Sequence, residues 1–211
     1  VYKRQQEYKD NANKNMNILL SKDLDENVKE SSWDSQIFSF NYTNEFDNLS
    51  FDNCRIQNIQ GTLKNGDIIL GIDGFDLNSK EYQPMLKFTK TYRSMSLKRQ
   101  NLNISPDTDI IKFYGHSLGE ADYSYFQTIF DIVNLYSGET KLFFYFSVYG
   151  GKTLEEVEEE IFERVWLLIQ KYGETLDNKD HGKNLIHKLQ LENRLVIKLS
   201  LIHISEPTRP Y

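Results

Sequence analysis

The sequence is poor in the residues that build covalently or metal-held scaffolds. Cys54 is its only cysteine, which excludes an intrachain disulfide framework and a cysteine metal site. The four histidines, His116, His181, His187 and His203, show no paired ligand spacing, so no metal is expected. A stretch of about 18 apolar residues, the minimum for a membrane-spanning helix, is absent, and so is a signal-peptide pattern. Positive charge is not in excess either. Lys and Arg number 25 against 31 Asp and Glu, a formal net charge of -6. Broad binding to nucleic acid or to an anionic membrane is therefore not expected. These absences leave a protein of the reducing cytoplasm as the default.

What is present is enough for a core. The chain has 211 residues, 39% hydrophobic and 13% aromatic, which marks it as globular rather than disordered. There is no internal repeat and no low-complexity linker, so residues 6–200 read as a single α/β domain. Residues 1–5 and 201–211 resemble translated sequencing-adapter sequence and are set aside as non-native tails. The chain opens without methionine, and what remains reads as an N-terminally truncated fragment, the C-terminal part of a longer gene.

Taken in order, residues 6–32 are polar and read as a surface helix. Residues 36–44 form an apolar strand ending in a polar cluster with Asn41 and Thr43. A second strand spans 55–63. Asn65-Gly66 is a turn signal before a strand at 67–71, so that pair reads as a hairpin. Residues 80–100 predict a helix with Pro84 near its start. Its Lys87, Lys90, Arg93, Lys98 and Arg99 make the most basic local segment. A strand at 110–114 leads through a turn into a helix carrying Phe126, Ile129, Phe130 and Val133, and a strand at 140–147 follows. That order is a βαβ unit, which requires a parallel pair with a right-handed crossover. Thr153 and Glu156 form a capping box for a long helix ending at Gly173. A shorter helix at 183–192 and a strand at 194–199 complete a mostly parallel, Rossmann-like sheet with flanking helices.

The chemistry is expected at the turn after residue 114, because open α/β sheets bind ligands at the carboxyl ends of their strands. Three readings compete for Gly115-His116-Ser117-Leu118-Gly119. The first is the nucleophile elbow of a serine hydrolase, with Ser117 as nucleophile and Asp177 or Asp180 with His187 completing a triad. Glu120 and Asp122 oppose it, since their charge disfavours an oxyanion nearby. The second is a nucleotide site, in which Gly115 permits close approach and Ser117 meets a ribose or phosphate. Asp122 then either caps the helix or meets a ribose hydroxyl. The third is structural only, with Ser117 or Asp122 capping the helix.

Three segments in one order add a resemblance. Phe40-Asn41-Tyr42-Thr43, Ile59-Gln60-Gly61-Thr62-Leu63 and Tyr114-Gly115-His116-Ser117-Leu118-Gly119-Glu120-Ala121-Asp122 together resemble the bacteriophage abortive-infection AbiH family. Gly182-Lys183-Asn184-Leu185-Ile186 and Glu192-Asn193-Arg194-Leu195 are similar as well. The resemblance implies a phage-defence role and a phage-derived trigger. More distantly, the pattern is similar to sirtuin-like NAD-binding domains. That similarity implies a site for NAD or a related nucleotide, with Asn41, Gln60, Gly61, Gly115, Ser117 and Leu118 carried over by position; the strand-end reading adds Thr43, His116 and Asp122 to the candidate lining. It implies NAD glycohydrolase-like chemistry if the protein is an enzyme, with Asn41 and Asp122 as catalytic candidates. One departure weighs against turnover. Where the sirtuin-like pattern has a catalytic histidine this chain has Gln60, and an amide is no general base near neutral pH. A homo-oligomer and a non-catalytic interaction module, using Lys87, Lys90 and Arg93, stand as further expectations.

Overall fold

The computed structural model describes residues 2–24, 34–43, 49, 54–71, 85–96 and 104–200. The chain divides into two compact units, Val1–Leu70 with Ile202–Tyr211, and Gly71–Leu201. The expectations placed on 25–32, 80–84, 97–100 and 201–211 lie outside the described residues.

In the first unit, helix α1 (Tyr2–Ser21) precedes strands β1 (Ser35–Ser39) and β2 (Cys54–Asn58). The two strands pair in parallel, with Ile37 opposite Ile56. The hairpin expected from Asn65-Gly66 does not form. Residues 67–71 are not a strand, and β2 takes β1 as its partner instead. Side chains hold the loop in place of a ladder. The Thr62 N–H donates to Asp67 Oδ1 at 2.9 Å, and the Asn65 N–H donates to Thr62 Oγ1 at 3.2 Å. One backbone bond, Ile69 N–H to the Gln60 carbonyl at 2.8 Å, joins the arms.

The second unit contains α2 (Lys90–Ser96), β3 (Ile110–Tyr114), α3 (Tyr123–Ile132), β4 (Lys141–Phe146), α4 (Leu154–Gly173), α5 (Lys179–Leu191) and β5 (Leu195–Leu199). Its sheet has the order β3-β4-β5, all parallel, with Phe113 opposite Phe144 and Phe144 opposite Ile197. Two crossovers therefore build it, one through α3 and one through α4 and α5. Strand β4 is central, and its Leu142 to Phe146 are all buried. A strand covered on both faces reads as a continuous apolar run rather than an alternation. Phe113 stacks on Phe144 at 4.5 Å and meets Phe126 and Phe130 of α3 edge-on. Phe130 in turn packs against Tyr172 of α4 at 5.2 Å.

The helix ends follow local chemistry. The Thr153 hydroxyl accepts the Glu156 N–H, and Glu156 reaches back to the Thr153 N–H at 2.7 Å, closing the capping box on α4. The Asn178 side chain accepts from the N–H groups of Asp180 and His181 to start α5. The stretch from 85 to 88 is a 3-10 turn rather than α-helix, and α2 begins only at Lys90.

Candidate functional site

Strand β3 ends at Tyr114, and Gly115 turns the chain with φ +63. A Cβ at Gly115 would meet no atom within 4 Å, so space above the turn is open. The left-handed backbone is the part that favours glycine there. His116 follows, and its Nδ1 accepts the Leu118 N–H at 2.9 Å. That bond holds Leu118 at φ +54, unusual for a branched apolar residue. It also assigns the imidazole proton to Nε2, because Nδ1 serves as acceptor. The ring stands edge-on to Phe126, 5.1 Å away. Ser117 is exposed at the tip of the turn. A short 3-10 turn, Glu120–Asp122, then leads into α3.

Asp122 closes the arrangement. Its Oδ2 lies 3.3 Å from His116 Nε2, and its Oδ1 accepts from Lys90 Nζ at 2.5 Å. The three side chains are only 14, 14 and 11% exposed, in the order Asp122, His116, Lys90. Burial alone would raise the Asp122 pKa. The hydrogen bonds from His116 and Lys90, and the charge of Lys90, outweigh it and hold the carboxyl below its ordinary value. Lys90 is brought there by Thr89, which is buried and whose hydroxyl accepts the Tyr92 N–H at the start of α2. Gly71 packs against the backbone just before α2, where a Cβ on it would lie 2.2 Å from the Phe88 carbonyl oxygen.

Asp122 therefore does not cap α3. It stands at the N-cap position, yet its side chain makes no capping bond. Its carboxylate faces Lys90 and His116 instead, because an ammonium ion is a stronger partner than a backbone amide. Its two oxygens thus link Lys90 to His116. The sequence placed Lys90 only in the basic segment offered for an interaction module, not at this turn. No local signal could have singled it out, because its partner is 32 residues away.

The other candidates belong to the first unit. Asn41 and Thr43 are exposed just past the end of β1. The Asn58 side-chain amide ties this turn down, donating to the carbonyls of Asn41 at 2.9 Å and Thr43 at 3.3 Å. Gln60 is 5% exposed, and Gly61 follows with φ +85. Asn58 was not among the expected residues, although an Asn at a strand end is a recurrent turn-former. The thiol of Cys54 is pushed up by burial, away from thiolate character.

The hydrolase partners are placed less favourably. Asp177, Asp180 and His187 are all exposed, and Asp180 pairs with Lys183 on its own helix at 3.6 Å. Ser117 does not carry the positive φ of its turn, which falls on Gly115 and Leu118. Among the described residues no group of three His, Cys, Asp or Glu side chains is gathered for a metal. No helix among them is long and apolar enough to cross a membrane.

Comparison with known proteins returns one finding. The family model described as "Bacteriophage abortive infection AbiH" matches residues 1–145. No curated protein and no solved structure matches the chain.

Proposed function

Because the chain belongs to the bacteriophage abortive infection AbiH family, we propose that it acts in the cytoplasm of an infected cell by binding a nucleotide, NAD or a relative, at the turn after β3. The observation that carries this reading is the geometry of that turn. It lies at the carboxyl end of a strand in a parallel sheet, where such sheets hold ligands. Gly115 leaves room for an incoming group, and the Ser117 hydroxyl is exposed beside it. Behind the turn, His116 is fixed by Leu118 and Asp122. A polar group oriented in advance costs less to order when a ligand arrives. Ser117 supplies the hydroxyl for a phosphate or ribose, while Asp122 keeps its carboxylate on Lys90 and His116 rather than on the ligand.

The test is a titration of the purified protein with NAD, followed by mass spectrometry of NAD incubated with and without phage lysate. Ser117→Ala should weaken binding with the fold intact. NAD loss that vanishes in Ser117→Ala would extend the reading to hydrolysis with a base other than Gln60. Unchanged affinity in Ser117→Ala would overturn the role given to the turn. Covalent labelling of Ser117 by a serine-directed phosphonate would replace the reading with that of a hydrolase.

A further inference from the structure

Two exposed apolar surfaces of the Gly71–Leu201 unit complement each other. The first is a seam. Met85, Phe88, Tyr92 and Met95 recur at steps of three, four and three residues and are 45, 58, 47 and 67% exposed. Thr89 and Lys90 between them are buried, with Lys90 held on Asp122, which turns the seam outward. Lys87 and Arg93 flank it, and residues 85–96 contain no acidic side chain.

The second surface is a groove of about 250 Å³, lined by Phe162 and Trp166 of α4, Ile186 of α5, and Leu195 and Ile197 of β5. Phe162 and Trp166 are 46 and 51% exposed. Along α4, Glu155, Glu159 and Glu163 recur at one-turn spacing beside these two aromatics, and all three are exposed. Residues three and four apart on a helix are neighbours, so carboxylates rim the aromatic wall.

Apolar anchors at helical spacing entering an apolar groove are a recurrent recognition mode. Charge selects the partner here, since a basic seam meets an acidic rim and like surfaces repel. Both halves are carried by this one chain. We propose that the seam of one copy docks in the groove of a second copy, head to tail, with Phe88 and Tyr92 set against Phe162 and Trp166. This self-association is independent of the nucleotide reading. Because the two surfaces differ, the contact is heterologous, and wild-type chains form a ring or an open array rather than a two-fold dimer.

The experiment is light scattering on the full chain after size-exclusion chromatography. Wild-type mass should rise with concentration up to ~100 µM, a range in which micromolar contacts are populated. Phe88→Asp and Trp166→Asp each change an exposed residue, so both should keep the wild-type circular dichroism and stay monomeric. Mixed one to one, they should form a dimer and nothing larger, because one keeps its groove and the other its seam. A wild-type protein that stays monomeric, a single variant that associates as wild type does, or a mixture that stays monomeric would each overturn the proposal. So would a monomer whose Trp166 emission, read in a Trp33→Phe background, shifts when residues 201–211 are deleted, which would assign the groove to the chain's own C-terminal end.

Discussion

Lys90 and Asp122, 32 residues apart in sequence, meet at 2.5 Å beside the turn that follows β3. The contact joins α2 to the start of α3 and leaves the carboxylate's other oxygen on His116. A buried pair of this kind matters most when it is broken on one side, because the remaining charge is left desolvated.

Lys90→Met should therefore destabilise the protein by ~2–3 kcal/mol at neutral pH, the scale of a lost charged hydrogen bond in a largely buried site. Lys90→Met combined with Asp122→Asn should cost less than the sum of the two single changes. The pH dependence follows from the depressed carboxyl. A folded-state pKa below the unfolded one gives stability that is present above the unfolded value, about 3.9, and lost as pH falls through the folded value. Urea titrations of wild type and Asp122→Asn should converge on acidification. A constant gap between them down to about pH 2 would refute the linkage.

Tyr123 makes the opposite end of the pH range informative. Burial first, then the nearby charges of Asp131 and Glu174, push its phenol up to about 12. A raised pKa on a group that is neutral when protonated gives stability that is complete below the unfolded value, about 10. That contribution is lost as pH rises through the folded value, about 12. Wild type should lose on the order of 2–3 kcal/mol over that window relative to Tyr123→Phe. Parallel stability curves for the two proteins would contradict it.

Gly173 at the end of α4 and Gly182 in α5 touch backbone to backbone. A Cβ on Gly182 would lie 2.0 Å from the Gly173 carbonyl oxygen, and one on Gly173 would lie 2.4 Å from that of Gly182. Alanine in a helix interior normally gains up to ~1 kcal/mol over glycine. Steric overlap with backbone, which cannot rotate away, wins here. Gly182→Ala should lower stability by ~3 kcal/mol. A raised melting temperature would show that the helices do not cross this closely.

Arg194 is 4% exposed and works as a clamp. Its Nε donates to the Thr140 carbonyl at 3.0 Å and its Nη2 to the Leu135 carbonyl at 2.7 Å, while Nη1 reaches Glu192. It thus ties the loop after α3 and the approach to β4 to the first residues before β5. Lysine keeps the charge but not the planar fork. Arg194→Lys should still cost ~2–3 kcal/mol, because buried carbonyls lose their donors. A substitution within 0.5 kcal/mol of wild type, the range of ordinary surface changes, would show the clamp to be dispensable.

Much of the second unit was legible in the order of the residues. The capping box at Thr153, the apolar stripe from Val157 to Tyr172 and the strand, turn and helix from 110 to 132 are signals between near neighbours. They survive in the structure almost residue for residue. The βαβ order required β3 and β4 to be parallel, and they are. The turn motif and its two companion segments were also enough to reach the AbiH family. What the tertiary structure alone decided are the long-range meetings. Lys90 finds Asp122, and Arg194 reaches Leu135 and Thr140, 59 and 54 residues back. Likewise β2 lies beside β1 rather than folding back on residues 67–71. Periodicity and turn chemistry report how a segment curls and which side it buries. They carry no record of which distant side chain will stand opposite, and so Asp122 could be read as a cap until the fold brought a lysine to it.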